Sequence, residues 1–304
     1  RRQVAERYGI EGDRVRVIPN FVDTDVFRPP RDMDEKRSIR RGLGIPEDAF
    51  VVGCVAAVKK DHKRIDCLIR EFAAFARKLS VDSYRLSGKK QDAATTRDQE
   101  LPNNQEPITN NCFPASVVRP PSSVFLLLAG ARTDESDELI RLAEELAPGH
   151  VNILLDLPRE KMPDLYRAMD VFVLASLFEM MPIALIEAMA SGLPVIANNH
   201  PVLQWMVGLD ECRSPAVSHQ SVRDENGFQV SGFSPQPSPS AGGSCIDMNR
   251  DGELSRALLR YRENQTLQEN AAIHARERVV EMFSKTIVVE RMIEMYQELA
   301  AIEN

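Results

Sequence analysis

Residues 171–198 read VFVLASLFEMMPIALIEAMASGLPVIAN. The opening run, 171–175, is apolar, β-branched and short, the signature of a strand buried on both faces of a parallel sheet. A loop follows over 176–181. Pro182 suits the first turn of a helix, where its missing N–H is unsatisfied anyway. Residues 183–191 read as that helix, Gly192 as its stop and 193–197 as the next strand. Two carboxylates mark the unit. The helix IALIEAMA is apolar all round except at Glu187, and such a helix is normally buried. A glutamate there needs a partner or a cleft, because an unpaired buried charge is very costly. Glu179 stands eight residues earlier, beyond the strand's carboxyl end, where open α/β sheets place their ligands. Spacing alone leaves the plain alternative open: a solvated loop glutamate, and a helix glutamate that reaches the surface.

On both sides of this unit strands alternate with helices. Residues 1–10 read as the end of a helix and 15–19 as a short strand. An irregular loop, 20–30, follows, with Phe21, Val22 and Phe27 as anchors. A charged helix over 31–44 ends at Gly42 and Gly44. FVVGCVAAV (50–58) is the first buried strand, KKDHKR (59–64) a basic loop, and 65–79 a helix with apolar residues at helical spacing. Strands over 124–129 and 151–155 and helices over 134–146 and 161–169 lead into the quoted stretch. Beyond it come a helix at 201–207, a strand at 245–248 and helices over 252–261, 265–282 and 286–301. About five strand–helix repeats argue for an α/β fold, a doubly wound parallel sheet of Rossmann-like type. Residues 80–122 and 211–244 break the pattern. Both are rich in Ser, Pro and small polar residues and too poor in apolar ones to offset their ordering entropy. They read as disordered insertions, the first in a connection that usually needs about 2–6 residues. The expected organisation is 1–30 as the end of a preceding domain with its connection, and 31–304 as the main domain.

Composition narrows the function classes. The 304 residues are 43% hydrophobic and 27% charged, a soluble globular balance. A net charge of -7 argues against a nucleic-acid-binding surface. No apolar run approaches the roughly 18 residues of a membrane span. The start, RRQVAERYGI, has neither an initiator Met nor an apolar leader, and reads as cut from something longer. Five cysteines without ligand or pairing spacing suggest a reducing cytoplasm, no zinc site and no disulfide framework. His62 and His200 have no acidic or Cys companions at ligand spacing and are assigned to no metal. There is no G-x-S-x-G, Walker A or G-x-G-x-x-G sequence, which removes the commoner hydrolase, P-loop and dinucleotide readings.

The loops at 59–64 and 176–182 both follow strand carboxyl ends and can border one crevice. Lys60, Lys63 and Arg64 would then face an anionic ligand, opposite free N–H groups and the positive dipole end of helix 183–191. A diphosphate requires such surroundings; a solvated basic turn is the plain alternative. Gly130, after the strand at 124–129, lets a backbone approach a ligand, or simply makes a turn.

VIPNFVDTDVF (17–27) resembles the V-x-P-N-G-V-D…F segment that opens the C-terminal domain of retaining glycosyltransferases of the GT-B fold (group 1, or family 4 type). EMMPIALIEAMASGLPVIA resembles their E-x7-E signature, with Glu179 and Glu187 in register. FSKTIVVERMIEMYQEL (283–299) is similar to the family's final helix. The resemblance covers most of the chain outside the two insertions. It implies the donor-binding domain of a nucleotide-sugar-dependent, metal-independent enzyme with no cofactor, its UDP- or GDP-linked donor being a substrate. By that resemblance Glu187 holds the ribose hydroxyls and Glu179 the donor sugar. The N–H groups of Met181 and Ile183 lie near sugar or diphosphate, Lys63 balances the departing diphosphate, and the backbone near Leu157 meets the base. The acceptor, whether glycan, lipid or small molecule, belongs with the family's N-terminal half. So does any peripheral membrane association, and without that half the chain should be inactive alone. Three positions depart from the pattern. Phe21 and Pro182 replace family glycines, and Ala57 stands where the family carries an arginine, leaving Lys60 or Arg64 to substitute. The rival reading is a non-catalytic nucleotide-binding or interaction module that keeps the fold. A sugar-phosphate synthase or phosphorylase of the same fold is a further one.

Overall fold

The computed structural model describes residues 17–91, 123–209, 222–223, 229–230 and 241–302, with side chains over 17–79, 123–209 and 241–301. The strands are β1 (Phe50–Val55), β2 (Val124–Gly130), β3 (Val151–Leu155), β4 (Val171–Leu174), β5 (Val195–Asn198), β6 (Val222–Arg223), β7 (Gln229–Val230) and β8 (Gly243–Ile246). Six of them form one parallel sheet in the order β3-β2-β1-β4-β5-β8, while β6 and β7 pair antiparallel by themselves. The helices are α1 (Met33–Gly42), α2 (Ile65–Gln91), α3 (Ser136–Leu146), α4 (Met162–Arg167), α5 (Ile183–Ala190), α6 (Pro201–Val207), α7 (Glu253–Glu263), α8 (Gln265–Met282) and α9 (Lys285–Ile302). A short 3-10 turn, Arg159–Lys161, leads into α4.

Successive strand residues point to opposite faces, so each strand feeds two cores. Val51, Phe125, Leu127, Phe172 and Val195 meet α4, α5, α6 and α8 on one face. Val52, Leu126, Leu128, Val171 and Val173 meet α2, α3 and α7 on the other. This double burial explains why the strands read as continuous apolar runs rather than alternating ones. The chain builds outward from β1 through β2 to β3, then returns to lay β4 against β1, with Val52 opposite Val171. A crevice opens at such a reversal, beyond the carboxyl ends of β1 and β4.

At the other end of the sheet a charged cluster locks β4 to β1. The Asp170 carboxylate accepts from Lys36 Nζ and Arg40 at 2.6 Å each, and from the Val51 N–H at 2.7 Å. Arg40, only 2% exposed, also donates to the carbonyls of Ala168, Glu47 and Ala49. Burial pushes the Asp170 carboxyl upward, but the charges of Lys36 and Arg40 outweigh it and hold the group below its usual range.

The fold expectation holds, with corrections at several elements. The helix expected to end at 79 runs on to Gln91. Ile65, Leu68, Ile69, Phe72 and Phe75 anchor its first turns in the core, and a helix once begun adds one bond per further residue. The remaining part of the first insertion, 92–122, lies outside the described residues. The last strand of the sheet begins at Gly243, inside the second expected insertion. A Cβ at Gly243 would stand 2.2 Å from the Val195 carbonyl oxygen, so the position must be glycine and carries no hydropathy signal. Within the expected strand at 15–19, residues 17–19 are irregular, and 1–16 lie outside the described residues. Of the three expected anchors, Val22 and Phe27 are buried, whereas Phe21 is 42% exposed. Val22 exchanges backbone hydrogen bonds with Phe283 and Lys285, a register that turns the adjacent Phe21 outward.

Candidate functional site

The two loops expected to share a crevice are joined at the switch point between β1 and β4. The Leu177 N–H donates to the His62 carbonyl at 2.8 Å. Lys63 Nζ donates to Glu179 Oε1 at 2.6 Å, with both side chains less than a fifth exposed. Asn198 at the end of β5 braces this arrangement. Its amide donates to the Leu177 carbonyl at 3.4 Å and its oxygen accepts the Met248 N–H at 3.2 Å. Asn20 of the VIPN segment donates to the Met181 carbonyl at 2.9 Å, so two motifs 161 residues apart meet here. Pro182 is the residue before α5, and no side chain caps the helix's first turn. The Leu185 and Ile186 N–H groups return to the Pro182 carbonyl, which leaves those of Ile183 and Ala184 to head the helix at its positive dipole end. Ile183 begins the helix half-exposed, and Leu177, Phe178 and Met180 form an apolar rim, Met180 being 79% exposed.

Glu187 lies one turn into α5 and is 8% exposed. Its partner is Tyr166 on α4, whose phenol donates to Oε2 at 2.9 Å. Burial raises the Glu187 carboxyl above its ordinary value, while the phenol hydrogen bond and the Arg159 charge pull the other way. Tyr166 is itself pushed well above the usual phenol range, by burial first and then by the Glu187 charge. Cys54, buried on β1 near Lys63 and Glu179, is pushed by burial to about 12 and stays a neutral thiol.

Lys60 and Arg64 are placed differently from the sequence expectation. Lys60 Nζ reaches across to Glu138 on α3 at 2.5 Å, and its N–H is taken by Glu135. The Arg64 guanidinium bonds the Asn249 side chain and the Cys67 sulfur. Both basic residues therefore pair with neighbouring elements, and Lys63 is the cation of this loop that meets the glutamate loop. Gly130 also proves to be glycine for an internal reason. A Cβ there would stand 1.7 Å from the Ala56 carbonyl oxygen, so the close approach is by the end of β1. Leu157 lies partly buried against the core after β3, following Asp156, whose φ is +51°. Arg64 adopts φ +53° just before α2. Left-handed backbone at a non-glycine residue is uncommon, and both instances fall in loops at the carboxyl side of the sheet. Among the described residues, no three His, Cys, Asp or Glu side chains group as metal ligands, and no helix is long and apolar enough to cross a membrane. Sequence reasoning missed Tyr166, Asn198 and the role of Asn20. Tyr166 left one usable signal, an aromatic amid LYRAMD directly before the strand.

Residues 116–220 match the family described as Glycosyl transferases group 1. Over this stretch the chain is similar to the group 1 glycosyltransferases, and its sheet is Rossmann-like, as in GT-B folds. The D-inositol 3-phosphate glycosyltransferase of Acidothermus cellulolyticus is 28% identical over 262 residues, covering 86% of this chain and 46% of that protein. The enzyme of the same description from Corynebacterium jeikeium is 30% identical over 194 residues, covering 64% of this chain and 37% of that protein. The chain thus spans less than half the length of these curated relatives. Sucrose-phosphate synthase from Thermosynechococcus elongatus superposes with a TM-score of 0.64 at 19% identity, covering 99% of this chain and 56% of that one. HepE from Anabaena, solved in complex with UDP, gives 0.63 at 17% identity, covering 97% and 61%. At these identities the two structures speak for the fold.

Proposed function

We propose that this chain is the donor-binding domain of a glycosyltransferase that uses a nucleotide-sugar and transfers the sugar with retention of configuration. The observation that carries the reading is the Lys63–Glu179 pair at the β1/β4 switch point, beside the uncapped start of α5. One cation and one carboxylate meet, a few residues before the Ile183 and Ala184 N–H groups that head α5, where doubly wound sheets bind ligands. In this reading the diphosphate takes Lys63 and the α5 N-terminus, which stabilise the negative charge that grows on it as the sugar leaves. Glu179, released from Lys63, accepts from the donor sugar's hydroxyls, and Glu187 accepts from the ribose. The charge balance assigned to Lys63 and α5 calls for neither a metal nor a cofactor. The acceptor and the contacts that complete transfer belong to the other half of the family's fold, and the residues described supply the donor side.

Calorimetric titration with UDP and with GDP tests this. One of them should bind at millimolar concentration or below, and Glu187→Ala should weaken that binding whereas Glu179→Ala, which frees Lys63, should not. If neither nucleotide gives heat at millimolar levels, the donor reading fails and a fold-sharing interaction module takes its place.

A further inference from the structure

Among the described residues, the Tyr166 phenol is the one hydrogen-bond partner of the Glu187 carboxylate. Its position is stiff. The ring is fully buried, edge-on to Phe27 at 5.8 Å and tilted against Phe172 at 5.9 Å between centroids. A ring held between two aromatics in a close-packed core cannot leave its rotamer without opening that core. Its hydroxyl is thus a fixed donor, occupying Oε2 and leaving Oε1 without a partner among the described residues.

We propose that Tyr166 is a positioning residue: its hydroxyl fixes the Glu187 carboxylate so that the free oxygen receives a vicinal diol, making the site selective for ribonucleotides over 2′-deoxyribonucleotides. The proposal rests on the assignment of Glu187 to the ribose. The chemistry follows from acceptor capacity. An ionised carboxylate offers acceptors on both oxygens, whereas a protonated one places a donor against the diol. Burial works toward the protonated form, and Tyr166 and Arg159 oppose it from the α4 side. From α8, Arg276 reaches the Ala190 carbonyl at the far end of α5. Removing the phenol therefore loosens the carboxylate and raises the pH at which it gains its proton.

The test uses the whole chain, UDP and 2′-deoxy-UDP. Tyr166→Phe should lower UDP affinity about tenfold, the scale of one lost charge-assisted hydrogen bond. The preference for UDP over its deoxy form should shrink, and the loss of binding on acidification should begin at higher pH. In a Glu187→Gln background the same substitution should change affinity no further, since a pure packing effect would persist there. Without any nucleotide, carbon NMR of the Glu187 carboxyl should show titration at higher pH in Tyr166→Phe. Should that variant fold poorly, 3-fluorotyrosine at 166, a stronger donor of almost the same shape, should move the titration to lower pH. Unchanged affinity, selectivity and titration in a wild type that binds UDP would overturn the positioning role alone. A wild type that binds neither UDP nor GDP would overturn the donor assignment and this proposal with it.

Discussion

Asp170→Asn keeps the shape of a side chain while removing the charge on which the amino end of the sheet is assembled. In the wild-type chain its two oxygens accept from Lys36, Arg40 and the Val51 N–H, all at 2.6–2.7 Å. The Arg40 side chain is 3% exposed and that of Lys36 13%, so neither cation can fully regain water when the carboxylate goes. Breaking a buried pair from one side costs about 3–5 kcal/mol. The asparagine carbonyl still accepts one bond and Lys36 can swing outward, which places the loss near the lower end, at about 3 kcal/mol. For a domain of this size that corresponds to a fall in Tm of about 6–12 °C. The pH dependence has a definite sign. Burial raises the Asp170 carboxyl, the two cations lower it more, and the folded value lies below the unfolded one. Its stabilisation is present above the unfolded carboxylate value of about 3.9 and fades as pH falls through the folded value. The gap between wild type and variant should therefore be full at neutral pH and narrow in acid. Urea unfolding followed by far-UV circular dichroism, at neutral and acidic pH, measures both. A neutral-pH difference below about 1 kcal/mol, the worth of an exposed pair, would refute the claim that this cluster holds β4 to β1.

Two further outcomes follow from the crevice. Gly130→Ala forces a methyl against the Ala56 carbonyl and should cost about 1–3 kcal/mol in thermal unfolding; full stability would show that β1 and β2 can part there freely. Glu179→Gln frees Lys63 from its 2.6 Å partner, so UDP without its sugar should bind about 3–10-fold more tightly by calorimetry. Unchanged or weaker binding would show that the diphosphate does not compete with Glu179 for Lys63.

Much of the site was legible before the fold was built. An isolated glutamate in an apolar helix called for a partner or a cleft, or else had to reach the surface, and Glu187 is buried against Tyr166. A basic loop and a glutamate loop after two strands could share a crevice, and the Lys63–Glu179 bond joins them. The sequence could not say which cation of KKDHKR would turn inward. That depended on Glu138 and Asn249, on elements 78 and 185 residues away, which draw off Lys60 and Arg64. It could not identify Gly130 as a packing requirement either, because the atom it makes room for lies on the neighbouring strand.

By itself, then, the amino-acid sequence determined the alternation of buried strands and amphipathic helices, and with it the doubly wound sheet, since period and run length are properties of local chain. It also determined the register of the two glutamates. Tertiary structure alone decided which residues those carboxylates face. Tyr166 reaches Glu187 through packing of α4 beside α5, and, likewise, Arg40 and Asp170 lie 130 residues apart yet share one part-buried bond. Partner choice of that kind is set by where strands and helices stack in space, and no spacing along the chain records it.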